Sequence, residues 1–535
     1  MPMNKHFAVV FLLLASFSLS SEEYFFSSNS PESLNFKHDN GNSHEFYYPE
    51  IVGSGVALFD ADQDGDLDVY LVQSGSWNAN KKTDKLYINN LAESGKIAFK
   101  ESTQFSSQHN NSNYGIGIAT ADVNNDGYPD FYLTNLHKNK LFINQKGKGF
   151  KLLNIDEQPK WSTSASFCDI NKDGFEDLYV SNYVDWSIKN NPKCFNASSK
   201  RDYCGPDSFA GLSDSFYLNV KGEKFIDKTL EYFPKMAKSP GLNVACEDMN
   251  NDGWPDFIVA NDGKANLLWL NQSGKSFKEF ALFSGLAVNA QGVAEASMGM
   301  ALSDYDIDGD MDIFFTHLMN ETNTLYRNNG KGYFQDVTNR TRLSKGGFSY
   351  TGWAARFLMV NNDIYPDLLV FNGAVASESS QAMALEQANQ LYLNSATSQF
   401  QTITNEPWLK DKRVSRGAAF GDIDNDGDSD IVINNNNARA QILYNNLNPE
   451  KWLGLSFGGN LSTIDKIVLS NPRQKFQIKY KTDGSYASAH DPRIVLNQAQ
   501  LETFDAINIS LVNGNTLLLK VSELPLNHYS KVKLK

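Results

Sequence analysis

Along most of the chain the hydrophobic positions fall in short runs rather than at helical spacing. GVALF, GIGIAT, SASFC, LNVACE, GMALS and GAAFG are compact runs of small and apolar residues. Each is followed, across a polar loop, by an alternating run: LDVYLV, PDFYLT, EDLYVS, PDFIVA, MDIFFT and SDIVIN. A third run, LYIN, recurs as LFIN, FYLN, LLWL, LYRN, LYLN and ILYN, and after most copies a Gly-rich turn leads to Phe, as in NQKGKGF and NNGKGYF. Period-two alternation bounded by Gly, Asn and Asp marks strands, and four short strands per unit is the pattern of a propeller blade. A lone hairpin is marginal in water, so such units bury their apolar faces only side by side. The loops between first and second strands start at residues 60, 122, 169, 248, 304, 359 and 422. The pattern predicts an all-β fold, a closed seven-bladed β-propeller over residues 21–449.

Those loops carry the chemistry. DADQDGDLD (60–68), DVNNDGYPD (122–130), DINKDGFED (169–177), DMNNDGWPD (248–256), DYDIDGDMD (304–312) and DIDNDGDSD (422–430) crowd like charges that repel one another unless a multivalent cation sits among them. Positions 1, 3, 5 and 9 offer side-chain oxygens, Gly at position 6 allows the bend, and position 7 adds its backbone carbonyl. Water can complete the roughly 6–8 oxygen ligands that calcium takes. The candidate ligands are Asp60, Asp62, Asp64, Asp66 and Asp68; Asp122, Asn124, Asp126, Tyr128 and Asp130; Asp169, Asn171, Asp173, Phe175 and Asp177; Asp248, Asn250, Asp252, Trp254 and Asp256; Asp304, Asp306, Asp308, Asp310 and Asp312; and Asp422, Asp424, Asp426, Asp428 and Asp430. All are hard oxygen donors of irregular denticity, which suits calcium and suits magnesium poorly.

The loops are not EF-hands. The twelfth position, where an EF-hand needs a bidentate acid, holds Leu71, Leu133, Val180, Val259, Phe315 and Ile433. Acidic hairpins without metal are the plainer alternative. Asn124, Asn171 and Asn250 reduce the ligand charge of three loops, so calcium should bind those more weakly. A further copy, MVNNDIYPD (359–367), keeps Asp363 and Asp367 but has Met359 and Ile364 at positions 1 and 6, and is expected to bind nothing. About six Ca²⁺ sites follow. Six such ions would bring the formal charge of −14 to about −2.

That acidity argues against nucleic acid or an anionic membrane surface as a partner. At the N-terminus the apolar run Phe7 to Ala15, followed by Ser18 and Ser20, has the form of a secretory signal peptide over residues 1–20. The run is too short for a transmembrane segment, and no other stretch could cross a bilayer. The mature protein is therefore expected to be secreted, extracellular or periplasmic, in an oxidising compartment. Cys194 and Cys204, in the polar stretch CFNASSKRDYC, are expected to form a disulfide. Cys168 and Cys246 each end an apolar strand before an acidic loop and read as buried thiols rather than a second bridge.

The loops and the small-residue strands before them resemble the FG-GAP (VCBS-type) repeats of integrin α-subunit propellers. More closely, FKHDNGNSHEFYYPE, RDYCGPDSFAGLSD, NETNTLYRN, SRGAAFGDIDNDGDSDIVINN and DGSYASAHDPR resemble the ASPIC/UnbV group of secreted proteins related to cartilage acidic protein, over nearly the whole mature chain. Two stretches depart from that pattern: loop 359–367, and IVLNQAQ after Arg493, where the group usually shows Gly-Leu. Residues 450–535 lack the repeat. Their strands KFQIKYK, AINISLV and TLLLKV suggest a small β domain, which the resemblance equates with the ASPIC/UnbV domain and which could cap the ring.

If the acidic loops share one face, the connections from second to third strand share the other. The chain is generous there, with 74–84, 184–213, 316–322 and 373–390, the last read as a short helix. Long connections on a rigid scaffold are the usual seat of binding. Trp77, His137, Tyr183, Trp186, His317 and Asn320 would gather around one mouth. Two functions compete: a calcium-stabilised extracellular binding or adhesion module for a protein or glycan, and an extracellular polymer hydrolase or lyase on the same ring. No Gly-x-Ser-x-Gly elbow and no His-Glu-x-x-His pair supports the enzyme.

Overall fold

The structure, a computed structural model, describes residues 24–534 except 29–30, 32, 76, 78–81, 104, 106–113, 156–157, 197, 376–384 and 459–460. The expected signal peptide and residues 376–384 of the expected 373–390 helix lie outside the described residues; the described remainder is not helical, with Gly373 bridged to Glu386 and Gln387 to Arg413. Elsewhere the alternating runs are strands, paired antiparallel in chain order. The first four-stranded sheet is Val56–Phe59, Asp68–Leu71, Lys85–Asn89 and Phe99–Glu101. The next strands are Tyr114–Ala121, Asp130–His137, Lys140–Asn144 and Phe150–Leu153, which join Lys160–Cys168, Asp177–Asn182, Ser215–Val220 and Lys224–Asp227 in one eight-stranded sheet through the pairing of Trp161 with Leu136. Four-stranded sheets follow at 241–279, 300–336 and 352–403. In the last of the repeat, Ser415–Gly421, Asp430–Asn435 and Gln441–Asn445 take their fourth strand from Phe26–Ser27, far away in sequence.

A recurring asparagine stitches the units together. An Asn stands at or next to the end of each unit's third strand, and in six of the seven its side-chain amide donates to the carbonyl of loop position 2 in the preceding unit. Asn144 reaches Ala61 at 2.8 Å; Asn219, Asn271, Asn328 and Asn394 reach Val123, Ile170, Met249 and Tyr305, all at 2.9 Å. Asn89 of the first unit reaches Ile423 of the last at 3.2 Å. The seventh such amide, on Asn445, is buried without a partner.

Residues 453–534 add two sheets around their own core, which includes Leu453, Ile467, Leu469, Ile507 and Ile509. From them the segment 482–491 runs between the inner strands. Asp483 accepts from Ser166 Oγ at 2.6 Å and from the Cys246 amide at 2.7 Å, and Thr482 donates to Thr120. Ser485 pairs with Met300, and Ala489 pairs with Ala57. At the far tip Tyr486 donates to the Val52 carbonyl at 2.9 Å and meets Trp353 edge-on. This segment explains the small residues of the inner strands: a Cβ on Gly55 would lie 2.3 Å from the Ala487 carbonyl oxygen. The C-terminal part therefore does more than cap.

Cys194 and Cys204 are bonded. The reading of Cys168 and Cys246 as free thiols is corrected: they form a second disulfide, with Cα atoms 6.4 Å apart. They lie 78 residues apart in sequence, but the inner strands they end are neighbours, which the sequence spacing conceals.

Candidate functional site

Each acidic loop is first a folding device. The position 1 carboxylate, on Asp60, Asp122, Asp169, Asp248, Asp304 and Asp422, accepts the amides of positions 5 and 6 at 2.8–3.2 Å. The chain bends through two left-handed residues, at positions 4 and 6, such as Asn425 (φ 57°) and Gly427 (φ 99°). The position 9 carboxylate, on Asp68, Asp130, Asp177, Asp256, Asp312 and Asp430, is buried. It accepts the position 2 amide of its own loop and the amide of the third-strand Asn, at 2.7–3.3 Å. Charge-assisted bonds to two backbone amides hold the loop against the sheet.

What remains unsatisfied points inward. At position 3, Asp62, Asp306 and Asp424 each bury one carboxylate oxygen without a hydrogen-bond partner, as do Asp66 and Asp428 at position 7. These belong to the loops with Asp at every side-chain position. There the carboxylates of Asp60, Asp62 and Asp68, of Asp304, Asp306 and Asp308, and of Asp422, Asp424 and Asp430 bring oxygens within 4.8 Å of one another. Buried carboxylate oxygens are costly without a counter-charge, so the donor set fits a hard divalent cation. Burial, reinforced by the neighbouring aspartates, pushes Asp60 up to about 6, Asp422 to about 7 and Asp304 to about 8. Loop 304–312 has a partial internal counter-ion, because Arg327 lies 2.7 Å from Asp306 and 2.6 Å from Asp308.

Loop 359–367 differs. Asp367 keeps both position 9 bonds, from the Val360 and Asn394 amides at 3.1 and 2.7 Å, but Met359 cannot clamp the turn. Met359 and Ile364 instead pack against the C-terminal core, and Asn497 donates to the Asp363 carbonyl at 2.8 Å. The two stretches that depart from the ASPIC/UnbV pattern thus touch each other.

The six aromatic and polar residues expected at the opposite mouth do not form one cluster. Trp77 stacks on Tyr114 at 4.6 Å and packs near buried Trp186, so both serve largely to seat the long loops. His317 is buried between Ser297 Oγ and the Thr322 carbonyl, both at 3.0 Å, and burial lowers its pKa to about 3. His137 is exposed at the end of its strand, and Asn320 borders a separate polar hollow with Asn289 and Asp336. Only Tyr183 lines the cavity of about 220 Å³ that opens here, together with Tyr48, Asp262, Met298 and Trp353. Sequence reasoning did not find Tyr48 or Asp262: Tyr48 precedes the first repeat, in FYYPE, and Asp262 follows the second strand of a repeat without belonging to its recurring motif.

Among the described residues no helix is long and apolar enough to cross a membrane. Cartilage acidic protein 1 of Xenopus tropicalis is 23% identical over 414 residues, covering 74% of this chain and 59% of that protein. The chain thus spans less than two thirds of that relative's length. Integrin alpha-3 of Cricetulus griseus is 30% identical over 147 residues, 24% of this chain and 14% of that protein. A solved structure of YCF48 bound to D1 peptide aligns at a TM-score of 0.43 and 7% identity, over 79% of this chain and 96% of that one. FG-GAP-like repeats match residues 60–133, 122–180, 248–315, 304–370 and 360–433. Those matches each run from one loop into the second strand of the following unit, and together they cover more than half of the sequence, so the chain belongs to the FG-GAP repeat family of β-propeller proteins.

Proposed function

We propose that this is a secreted, calcium-stabilised binding or adhesion module: a closed seven-bladed propeller over residues 21–449, a signal peptide over 1–20 and an ASPIC/UnbV-like β domain over 450–535. Calcium occupies the acidic loops, about six in all, and the face opposite them meets an extracellular protein or glycan. The observation that carries the reading is the set of buried, unpartnered carboxylate oxygens on Asp62, Asp306 and Asp424. A cation there relieves a desolvation cost that, among the three, only Asp306 has partly offset, by Arg327. The likeness to integrin alpha-3 and cartilage acidic protein 1, and two disulfides, support an extracellular setting.

The test is a thermal melt of residues 21–535 with calcium and after its removal, with bound metal counted by mass spectrometry. Each site held at a hundredfold excess over Kd adds about 2.7 kcal/mol. Several sites together should raise Tm by roughly 10 °C. Little shift and few bound ions would overturn the proposal.

A further inference from the structure

The cavity opposite the acidic loops lies where several units meet. Its walls include Met298 and Leu318, Trp353, Val52, and Tyr48 with Tyr183. Tyr486 of the C-terminal segment braces the Val52 and Trp353 side. Into this largely apolar space projects one carboxylate, Asp262, from the end of strand Asp256–Asn261. A short relay holds it: the Tyr48 and Tyr183 hydroxyls are 2.5 Å apart, and Tyr183 donates to Asp262 Oδ2. Asp262 is half-buried, and among the described residues it forms no ion pair. Charges of the same sign, on Asp207 and Glu321, lie close enough to interact with it. Lys264, two residues on from Asp262, is paired with Asp207 at 2.7 Å. The buried guanidinium of Arg416 stacks on Trp353, directs its donors to the carbonyls of Ile51, Gly373, Ser415 and Ala374, and forms no ion pair with Asp262.

A carboxylate kept in an apolar cavity without a cation is a standing cost that an incoming cation removes. Methionine, leucine and aromatic walls suit methylene groups, and the ring faces favour a positive charge. At about 220 Å³ the cavity is smaller than the roughly 300–1,000 Å³ typical of drug-sized ligands, which favours a single side chain over an oligosaccharide. We propose that this cavity is a seat for an aliphatic ammonium group, with Asp262 as its counter-ion and the lysine side chain of a protein ligand as its natural occupant. This rests on the binding face proposed above and names what that face recognises.

The experiment is calorimetric titration of the calcium-loaded protein with n-butylammonium, butan-1-ol, butyrate and a terminally blocked lysine. Butylammonium is expected to bind at least tenfold tighter than butan-1-ol, and butyrate not at all. Asp262→Asn should remove most of that preference while leaving alcohol binding unchanged, and Tyr183→Phe should weaken it less. Tighter binding of blocked lysine than of butylammonium assigns the seat to a protein side chain, whereas equal binding assigns it to a free alkylamine. Equal binding of amine and alcohol by the unaltered protein, or preference for butyrate, overturns the proposal without reference to any variant. The calcium-dependent melt is read on the same samples, so a cavity that rejects ammonium in a calcium-stabilised protein overturns the seat alone.

Discussion

Loops 422–430 and 359–367 occupy equivalent places between first and second strands, yet only the first gathers the acidic cluster that fits a cation. In both, the final aspartate accepts two backbone amides: Asp430 from Ile423 and Asn445, Asp367 from Val360 and Asn394. Upstream they diverge. Asp422 clamps the amides of Asp426 and Gly427 over a turn with two left-handed residues, and Asp424 and Asp428 bury unpartnered oxygens. Loop 359–367 has Met359 in place of the clamp, no left-handed residue at Asn362 or Ile364, and no orphaned aspartate oxygen. Its apolar side chains meet the C-terminal domain. One nine-residue pattern therefore carries two separable constraints. Position 9 serves the architecture in both loops and, in loop 422–430, also joins the acidic cluster with Asp422 and Asp424, whereas the upstream positions differ between the two.

The largest effect should come from that shared aspartate. Asp430→Ala and Asp367→Ala each remove two charge-assisted bonds and strand two buried amides, at about 3–5 kcal/mol. Denaturant unfolding with and without calcium sharpens the contrast: the loss at Asp367 should be the same in both, and the loss at Asp430 larger with calcium. Equal calcium dependence at the two sites would break it.

Much of this was legible because it is local. Strand alternation located the sheets, and carboxylate spacing located the loops. What was illegible depends on neighbours far away in sequence. GVALF reads as a strand, but the need for Gly55 comes from Ala487 lying against it. The asparagine ending LYIN and its copies is visible as a repeat, yet its reach to the preceding unit is not. Met359, Ile364 and IVLNQAQ look like separate departures until Asn497 is seen bonded to Asp363. Tyr48 and Asp262 are single residues that only the assembled cavity brings together.

Met359→Asp tests whether the altered loop is a docking joint. A charge set against the apolar C-terminal core should destabilise by about 1–3 kcal/mol, and partial proteolysis should release C-terminal fragments sooner. If Met359→Asp combined with Ile364→Gly instead gains a calcium ion at no cost in stability, the apolar residues have no docking role.

A weaker effect follows from protonation. In the metal-free fold, burial raises Asp304 to about 8 and Asp422 to about 7, above the usual 3.8. A carboxyl raised by folding stabilises the fold below its unfolded pKa and loses that contribution as pH rises through the folded value. Metal-free protein should therefore lose stability between about pH 4 and 8, and calcium should offset that loss. Thermal melts of calcium-loaded and calcium-depleted protein should show the Tm gap widening by a few degrees from pH 5.5 to 8. A gap that narrows would mean the carboxylates are not the ligands.

The smallest effect concerns the stitches between units, and it reads the loop contrast from a different residue. The Asn394 amide donates to the Tyr305 carbonyl at 2.9 Å, and its carbonyl accepts from Ser395. Asn445 accepts similarly from Leu447, but its amide has no partner; the carbonyl it would need by analogy is that of Val360, in loop 359–367. Asn394→Ala should therefore cost more than Asn445→Ala by about 1 kcal/mol, the net worth of one hydrogen bond. Denaturant midpoints at constant m-value would show it. Equal costs would mean that loop 359–367 receives its neighbour's amide as the intact loops do. A clear difference would place the weakest stitch beside the loop that meets the C-terminal domain, so that Asn497 and Met359 secure there what hydrogen bonds secure elsewhere.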